Sequence, residues 1–358
     1  MLDRTAQLDL GIWGAGITGL TLGLLQARSG RKVAVIDPIL PLGQQEGLPA
    51  GVLTMNQELQ YHHITRWRSA AAAATYAEQN RRGIEFVLGE VAQAGVAIER
   101  MPMATYTADG HEAFWLRYEA RAMRACGLEP EFDDTPVLKY DIRPELVLDD
   151  QAVIDLVAYR DHLAQSFTDA GGILETKPVP ARTLVSTTAY PPAQDRLGLR
   201  HRIDPATWNW LRVEVEELPD RMRFDLDDSG RLLVPWQGKL LVGSRRDSGV
   251  EWVASHFPGS KIVGHWQAKA AASLEALPLV GVNGTPDLLA ATGFDVWELS
   301  AGTAGALQLH DHLTGTGVGH LPWSPIRFPR ASAVFRAVWG RTRYQLDLNR
   351  ITPFPKRG

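Results

Sequence analysis

The sequence contains almost no cysteine and no excess of positive charge. Cys126 is the only cysteine among 358 residues, so no disulfide can form within the chain. Such a composition fits a reducing compartment, and we expect a cytoplasmic protein. The formal net charge of −4 gives no basic signature for nucleic acid or for an anionic membrane. We therefore expect no nucleic-acid partner.

Long hydrophobic runs are also scarce, and the one candidate for a membrane span is interrupted by glycine. Residues 10–27 are uncharged, as a spanning helix would be, but they carry glycine at positions 11, 14, 16, 19 and 23. Residues 1–9 are polar and do not resemble a secretory segment. We expect no transmembrane segment, because the composition is that of an ordinary globular protein.

The first forty residues predict a strand, a glycine-rich turn, a helix and a second strand. Leu8, Leu10 and Ile12 alternate with other residues, which is typical of a strand. The second strand occupies residues 32–37 and ends at Pro38. Further on, apolar spacing predicts helices over 67–82, 113–126 and 150–170, and short strands at 86–88 and 96–98.

The middle of the chain has a different sequence pattern, made of short apolar runs separated by turn residues. Between residues 184 and 242, short β runs at 211–215, 231–235 and 239–243 alternate with turn signals such as Asp228-Ser-Gly230. This pattern predicts an antiparallel sheet inserted into the domain that the first forty residues begin.

Residues 14–19, which we call the glycine turn, read Gly-Ala-Gly-Ile-Thr-Gly and fit the dinucleotide fingerprint G-x-G-x-x-G. Gly14 permits the tight turn, Gly16 lets the backbone approach a diphosphate, and Gly19 lets helix and strand pack closely. The helix N-terminus offers free amides to phosphates. Asp37 lies about twenty residues on and can accept hydrogen bonds from ribose hydroxyls. A turn without a ligand is the alternative, and the fingerprint alone fits FAD or NAD.

Three later segments follow the glycine turn in a fixed order along the chain. Residues 151–190 read as a helix, a crossing at 177–180 and a strand that returns at 184–190. Trp266 precedes Glu275, Pro278 and Gly281, and residues 291–302 read Ala-Thr-Gly-Phe-Asp-Val-Trp-Glu-Leu-Ser-Ala-Gly. With the glycine turn, these segments resemble the FAD-dependent D-amino-acid oxidase and glycine oxidase superfamily over residues 7–330. They are most similar to the flavin domains of amine oxidoreductases that carry a Rieske iron–sulfur module.

The resemblance implies an α/β (α+β) fold, in which a Rossmann-like FAD-binding domain carries an inserted antiparallel-sheet substrate domain. We expect residues 1–66, 145–190 and 285–358 in the FAD-binding domain, and residues 67–144 and 191–284 in the substrate domain. The loop at 293–302, which we call the tryptophan loop, would open a helix aimed at the flavin ring. The implied cofactor-binding residues are Gly14, Ala15, Gly16, Ile17, Thr18, Gly19, Asp37, Pro38, Ala50, Gly51, Val52, Val179, Thr187, Thr188, Gly293, Trp297, Glu298, Leu299 and Ser300.

Several positions depart from the family's pattern. His265 stands where arginine is frequent, Lys269-Ala270 where a Gln-Asp pair is frequent, and Glu298 where glycine follows the tryptophan. Residues 49–51 read Pro-Ala-Gly in place of Thr-Thr-Ala, and the strand at 184–190 lacks its usual glycine. No set of four Cys/His ligands is present, so the Rieske cluster is absent.

The resemblance implies an FAD-dependent oxidoreductase that oxidises a small amine or amino acid by hydride transfer to flavin N5, after which the imine is hydrolysed. Dioxygen or an electron-transfer protein would accept the electrons. This chemistry needs little acid–base machinery, and the sequence shows neither a triad nor paired carboxylates, so no catalytic residue is assigned. Two alternatives stay open: a flavin-binding protein without turnover that acts in binding or assembly, and an NAD-dependent dehydrogenase.

Candidate substrate residues are cations and aromatic side chains. A substrate carboxylate would need a cation, for which Arg245, its neighbour Arg246 and Lys269 are candidates. Trp266, Trp236 and Tyr140 are candidates for the wall of an amine pocket. Solvated charges and core aromatics are the alternatives.

Histidine, cysteine and the basic tail carry weaker signals. His62 and His63 are neighbours without an evident third ligand, so we expect no metal, and His310 and His312 fall in a predicted helix. We expect Cys126 to be a structural thiol. The tail after residue 326 is basic, with apolar residues on one helical face that would pack on its own domain or meet a membrane or partner.

Overall fold

The computed structural model describes residues 8–38, 50–107, 113–133, 144–189, 196–226, 230–274, 277–317 and 323–326. Within these ranges the chain forms a six-stranded and a nine-stranded sheet together with seven α-helices. Tyr140, Glu275 and the basic tail after residue 326 lie outside the described residues. In the part of the chain that the structure describes, no helix combines the length and apolar character that crossing a membrane requires.

The smaller sheet grows outward from the opening strand. Its strands are β1 (Leu8–Trp13), β2 (Val33–Ile36), β7 (Ile173–Glu175), β8 (Ala181–Ser186), β14 (Leu279–Val282) and β15 (Leu288–Thr292). They lie in the order β14-β15-β8-β1-β2-β7, and only the β14–β15 pair is antiparallel. The helix α1 (Ile17–Arg28) connects β1 to β2. β2 lies on one side of β1 and β8 on the other, so the strand order reverses at β1. Ligands of open α/β sheets bind at the point where the strand order reverses.

The larger sheet is mixed. Its strands are β3 (Ala50–Leu53), β4 (Ile98–Tyr106), β5 (Glu131–Asp133), β6 (Glu145–Asp155), β9 (Ile203–Glu214), β10 (Met222–Asp225), β11 (Arg231–Trp236), β12 (Lys239–Ser244) and β13 (Lys261–Ser273). They run in the order β13-β9-β12-β11-β10-β4-β6-β3, with β5 beside β6, and only β4 and β10 are parallel. The antiparallel strands predicted between residues 184 and 242 are confirmed as β9, β11 and β12.

The predicted division into two domains remains a proposal. β3 and β6 fall in the part assigned to the FAD-binding domain, yet they pair within the larger sheet. β14 falls in the part assigned to the substrate domain and pairs with β15 in the smaller sheet.

The described ranges contain seven α-helices, of which the first, fifth and seventh pack on the smaller sheet. They are α1 and then α2 (Gln60–Trp67), α3 (Ala70–Ala94), α4 (Ala113–Ala125), α5 (Leu156–Asp169), α6 (Val250–His256) and α7 (Thr303–Thr314). Ser69 caps α3 by accepting a hydrogen bond from the Ala72 amide at 3.1 Å, and Gly95 ends the helix in the left-handed conformation. α7 packs against both α1 and α3, so the end of the tryptophan loop is held against the helix that follows the glycine turn.

Two secondary-structure predictions are wrong. Residues 86–88 are not a strand but part of α3, because their apolar run belongs to a helical face that also buries Tyr76, Gly83 and Val91. Residues 150–155 are not helical but the end of β6, where Val153 and Ile154 are both buried because elements lie on both faces of the sheet. The helix begins only at Leu156, after Asp155 accepts a hydrogen bond from the Ala158 amide.

Candidate functional site

The glycine turn joins β1 to α1 and cannot accept side chains at two positions. Gly14 has a φ of +106°, which is strained for any other residue. A Cβ atom on Gly19 would lie 1.9 Å from the carbonyl oxygen of Gly14, so any side chain at this position would clash with the backbone of the turn. Gly16 is the N-cap residue and brings no capping side chain, so the amides at the start of α1 need acceptors from elsewhere in the chain or from a ligand.

The end of β8 lies directly beside this turn. The Thr187 hydroxyl donates to the carbonyl oxygens of Trp13 at 2.9 Å and Gly14 at 3.1 Å. A Cβ atom on Gly14 would lie 3.2 Å from the Thr188 amide nitrogen. On the other side, Asp37 accepts a hydrogen bond from the Ala15 amide at 3.0 Å. The structure thus brings the ends of β1, β2 and β8 together around one turn.

The tryptophan loop reaches the same place from the far end of the chain. It consists of a 3₁₀ turn, Asp295–Trp297, and a π-helical turn, Glu298–Gly302, that leads into α7. The Glu298 carboxyl accepts hydrogen bonds from the Thr18 hydroxyl at 3.2 Å and the Thr18 amide at 3.4 Å. Burial raises the pKa of Glu298, against the effect of the hydrogen bonds from Thr18. Residues separated by 280 positions are therefore in direct contact, and we call the region around this contact the candidate cleft.

β3 and the segment after it support the middle of the tryptophan loop. A Cβ atom on Gly51 would lie 3.0 Å from side-chain carbons of both Leu299 and Leu156, so a side chain at this position would require the two leucines to shift. The Gln57 amide donates to the Ser300 hydroxyl at 3.0 Å. Ala50, Gly51 and Val52 are therefore brought to the loop, as are Leu299 and Ser300.

At its other end, the tryptophan loop meets the larger sheet through Asp295. The Arg245 guanidinium lies 3.3 Å from the Asp295 carboxylate, and the Trp208 indole N–H donates to the same carboxylate at 3.1 Å. Burial raises the pKa of Asp295, and Arg245 opposes that rise. Burial disfavours the charge on Arg245, but Asp295 and Glu58 outweigh it and raise its pKa. The predicted substrate cation Arg245 is thus already paired with an acid.

Glu58 is the second acid at this end of the cleft. The Trp297 indole N–H donates to its carboxyl at 3.3 Å. Burial raises the pKa of Glu58 to about 7, the charge of Asp295 adds to the rise, and Arg245 and the bond from Trp297 oppose it. Glu58 and Asp295 both have a positive φ, of 60° and 52°, which is uncommon for non-glycine residues and is found preferentially at functional sites.

The indoles that bond the two acids, Trp208 and Trp297, belong to a larger group of aromatic rings. Trp208 and Trp210 lie two residues apart on the same face of β9, with ring centroids 6.1 Å apart. Phe224 lies 6.4 Å from Trp208 and 5.6 Å from Trp297, measured between ring centroids. Trp266 stands opposite Trp210 on β13, so the candidate pocket residue Trp266 lies on this same face.

Other predicted substrate and binding residues lie elsewhere. Lys269 is exposed on β13 and points to the face opposite Trp266, and Arg246 is exposed. Trp236 is buried in the core at the end of β11. Val179 lies half-buried between β7 and β8.

The histidines and Cys126 are accounted for by local packing. His63 stacks on Trp67 with ring centroids 4.6 Å apart, and His62 packs against Trp115 and Tyr118. His310, in α7, hydrogen-bonds Gln26 of α1 at 2.9 Å. Cys126 is half-buried at the end of α4, where burial raises the pKa of its thiol. Across the described ranges, no group of three or more His, Cys, Asp and Glu side chains is arranged to hold a metal ion.

The sequence interpretation missed Glu58 and Asp295. Asp295 carries a weak signal, since an acid between Phe294 and Val296 is unexpected in an apolar loop. Glu58 carries none, because its meeting with Trp297 joins segments separated by 239 positions.

Comparisons with known proteins agree on the architecture. No protein-family model matches the chain, and no curated protein matches it. Among solved structures, glycine oxidase from Geobacillus kaustophilus superposes with a TM-score of 0.73 at 16% identity, covering 91% of this chain and 100% of that one. L-proline dehydrogenase from P. horikoshii gives 0.70 at 13% identity, covering 90% and 98%. Iminodiacetate oxidase from Chelativorans sp. BNC1 gives 0.67 at 16% identity, covering 88% and 99%. The chain therefore has the fold of these oxidoreductases.

Proposed function

We propose that this chain, which shares its fold with glycine oxidase and L-proline dehydrogenase, is an FAD-dependent oxidoreductase of small amines or amino acids. The observation that carries the proposal is the meeting of Glu298 with Thr18, which unites the glycine turn and the tryptophan loop in one cleft. A further similar structure, L-α-glycerophosphate oxidase from Mycoplasma pneumoniae, contains bound FAD; its TM-score is 0.65 at 13% identity.

The residues of the cleft fit the cofactor. The tight turn at Gly14 and the absent side chain at Gly16 let backbone amides approach a diphosphate, and α1 directs its positive end there. The Glu298 side chain lies close to the proposed diphosphate site, since one of its oxygens is 3.0 Å from the position of a Cβ atom on Gly16. Burial raises the pKa of Glu298, while the hydrogen bonds from Thr18 oppose that rise, so an acid stands beside the proposed diphosphate site.

In this proposal each part of FAD has a defined environment. Backbone amides of the glycine turn would bind the diphosphate, although the Ala15 amide already donates to Asp37 and the Thr18 amide to Glu298. Asp37 and Pro38 would accommodate the adenosine ribose, and Val179 would lie on the adenine side. The residues proposed for the flavin half are Ala50, Gly51, Val52, Thr187, Thr188, Gly293, Trp297, Glu298, Leu299 and Ser300. The amides that begin the Glu298–Gly302 turn would favour negative charge on the reduced ring.

Bound flavin supplies the capacity to accept two electrons as a hydride from the carbon next to an amine nitrogen. The residues of the chain have the simpler tasks of binding the amine, orienting its C–H bond and limiting the access of water. The amine loses a hydride and a proton, and the resulting imine is hydrolysed to a carbonyl compound and ammonia or a smaller amine. Dioxygen or an electron-transfer protein then takes the two electrons. We propose that this takes place in the cytoplasm, on the basis of the single cysteine.

The test is to mix the purified chain with FAD, remove free cofactor and record the visible spectrum before and after anaerobic addition of an amine panel. We expect a yellow protein whose flavin bleaches with at least one amine. A colourless protein would contradict the proposal, and bound NAD would favour the dehydrogenase alternative.

The departures at His265, Lys269-Ala270 and Glu298 from the residues frequent in the family motivate a second candidate function, a flavin-binding protein without turnover. This candidate predicts bound FAD that no amine reduces, whereas turnover with a single substrate would eliminate it.

A further inference from the structure

We propose that Glu58 and Asp295 select substrates by a cationic amino group, and that the site prefers amines without an α-carboxylate to amino acids. This inference rests on the proposed function, because it concerns the substrate side of the same cleft.

The two acids lie where a substrate would meet the cofactor. Asp295 precedes Glu298 by three residues on the tryptophan loop, and Glu298 contacts the glycine turn. Glu58 is joined to the same loop through the Trp297 indole. The larger sheet closes this end of the cleft through Arg245 and Trp208. The acids therefore occupy the side of the loop away from the diphosphate.

The charges at this end do not balance. Asp295 is paired with Arg245, whose side chain lies 3.3 Å away, so that guanidinium is already engaged. Among the described residues, Glu58 forms no ion pair, and a neutral indole is the donor that its carboxyl has. When both carboxyls are ionised, the cluster carries one negative charge in excess. A cationic amine bound at Glu58 would neutralise it and stabilise the ionised form of Glu58.

The aromatic surroundings point to the same ligand class independently of the acids. Trp208, Trp210 and Trp266 lie on one face of the larger sheet, with Phe224 and Trp297 nearby. Aromatic faces attract ammonium groups and also accommodate the apolar part of a small amine. The Trp210 indole N–H is buried without an acceptor among the described residues, so it is available to donate a hydrogen bond to a ligand.

An amino acid would be disfavoured in the same place. Its carboxylate would approach Glu58 and Asp295, and it could reach Arg245 only by competing with Asp295. Lys269, the other cation predicted for this role, is exposed on the opposite face of β13. Arg245 therefore serves to hold Asp295 in place, as a positioning residue, rather than to bind a substrate carboxylate.

The test is calorimetric titration with a matched pair of ligands, phenethylamine and phenylalanine, which differ by one carboxylate. It is run on the FAD-loaded chain and on the chain without added FAD. We expect phenethylamine to bind roughly tenfold more tightly than either enantiomer of phenylalanine, equal to about 1.4 kcal/mol. E58Q should weaken amine binding by a similar factor, and E251Q, at an exposed acid of α6, should leave it unchanged. R245M should not weaken phenylalanine binding, because Arg245 makes no contact with the ligand carboxylate.

The inference is overturned if phenylalanine binds more tightly than phenethylamine, if neither binds, or if E58Q and E251Q bind the amine equally. Circular dichroism reports whether E58Q folds, and D295N carries the same test if it does not. Failure to bind FAD would contradict the proposed function, whereas the titration without FAD would still decide the preference between the two ligands.

Discussion

The carboxyl of Glu298 accepts hydrogen bonds from the amide and the hydroxyl of Thr18, so a late loop contacts the first turn of the first helix. The contact places an acid where a diphosphate would approach α1, and it ties α1 to the segment that opens α7. Both the affinity for FAD and the geometry of the cleft should therefore depend on residue 298.

Removing the charge of Glu298 should strengthen FAD binding. Because the ionised carboxyl repels a diphosphate, we expect E298Q and E298G to bind FAD roughly tenfold more tightly than the wild type at neutral pH. Quenching of flavin fluorescence measures the dissociation constant. E85Q, at an exposed acid of α3, serves as the charge-matched control. Weaker binding by both variants would show instead that Glu298 helps to hold the cofactor.

Alanine at two glycines of the glycine turn should separate binding from folding. In G16A the new methyl meets the flexible Glu298 side chain at 3.0 Å, so the chain should fold but lose most of its FAD affinity. In G19A it would lie 1.9 Å from the Gly14 carbonyl, and we expect destabilisation of about 3 kcal/mol. Urea denaturation and FAD titration measure the two effects.

The control for this pair is G89A, an exposed helical glycine with open space around it, which should stabilise α3 by about 1 kcal/mol. Equal FAD affinity in G16A and the wild type would argue against a diphosphate at this turn.

The pKa of Glu58 predicts a pH-dependent effect on stability. Because folding raises this pKa to about 7, the folded state favours the protonated carboxyl, and stability is lost as the pH rises from the unfolded value through 7. E58Q removes that loss. We expect it to gain about 2 kcal/mol relative to the wild type at about pH 8, and little at about pH 5. Urea denaturation at both pH values is the measurement, and an equal difference at the two would refute the assignment.

Glu119 should stabilise the start of α2. Its buried carboxyl accepts hydrogen bonds from the amides of Tyr61 at 3.0 Å and His62 at 2.6 Å, while burial raises its pKa to about 8. E119A leaves both amides unsatisfied and should cost about 2 to 3 kcal/mol. E119Q retains one acceptor and should cost less. Denaturation midpoints of the two variants measure the difference, and equal midpoints would be inconsistent with capping.

Local patterns predicted the parts of the fold that depend on neighbouring residues. The glycine turn, with its flanking strands and helix, follows from spacing because Gly14 and Gly19 are required by contacts within one turn. The apolar run at residues 86–88 predicts a strand but is helical, because a short apolar run has the same pattern in a buried helix.

The substrate end of the site was not predictable in this way. Glu58 and Asp295 acquire their environment from Trp297, Arg245 and Trp208, which approach from distant segments. Sequence spacing does not predict such contacts, and the pairing with Asp295 engages the guanidinium of Arg245.

The most direct test of the account is to measure FAD binding by the wild type and G16A side by side. We predict that the wild type retains about one flavin per chain after removal of free FAD, and that G16A, folded to the same extent, retains little. A folded wild type that retains no flavin, or a G16A variant that retains as much, would contradict the account.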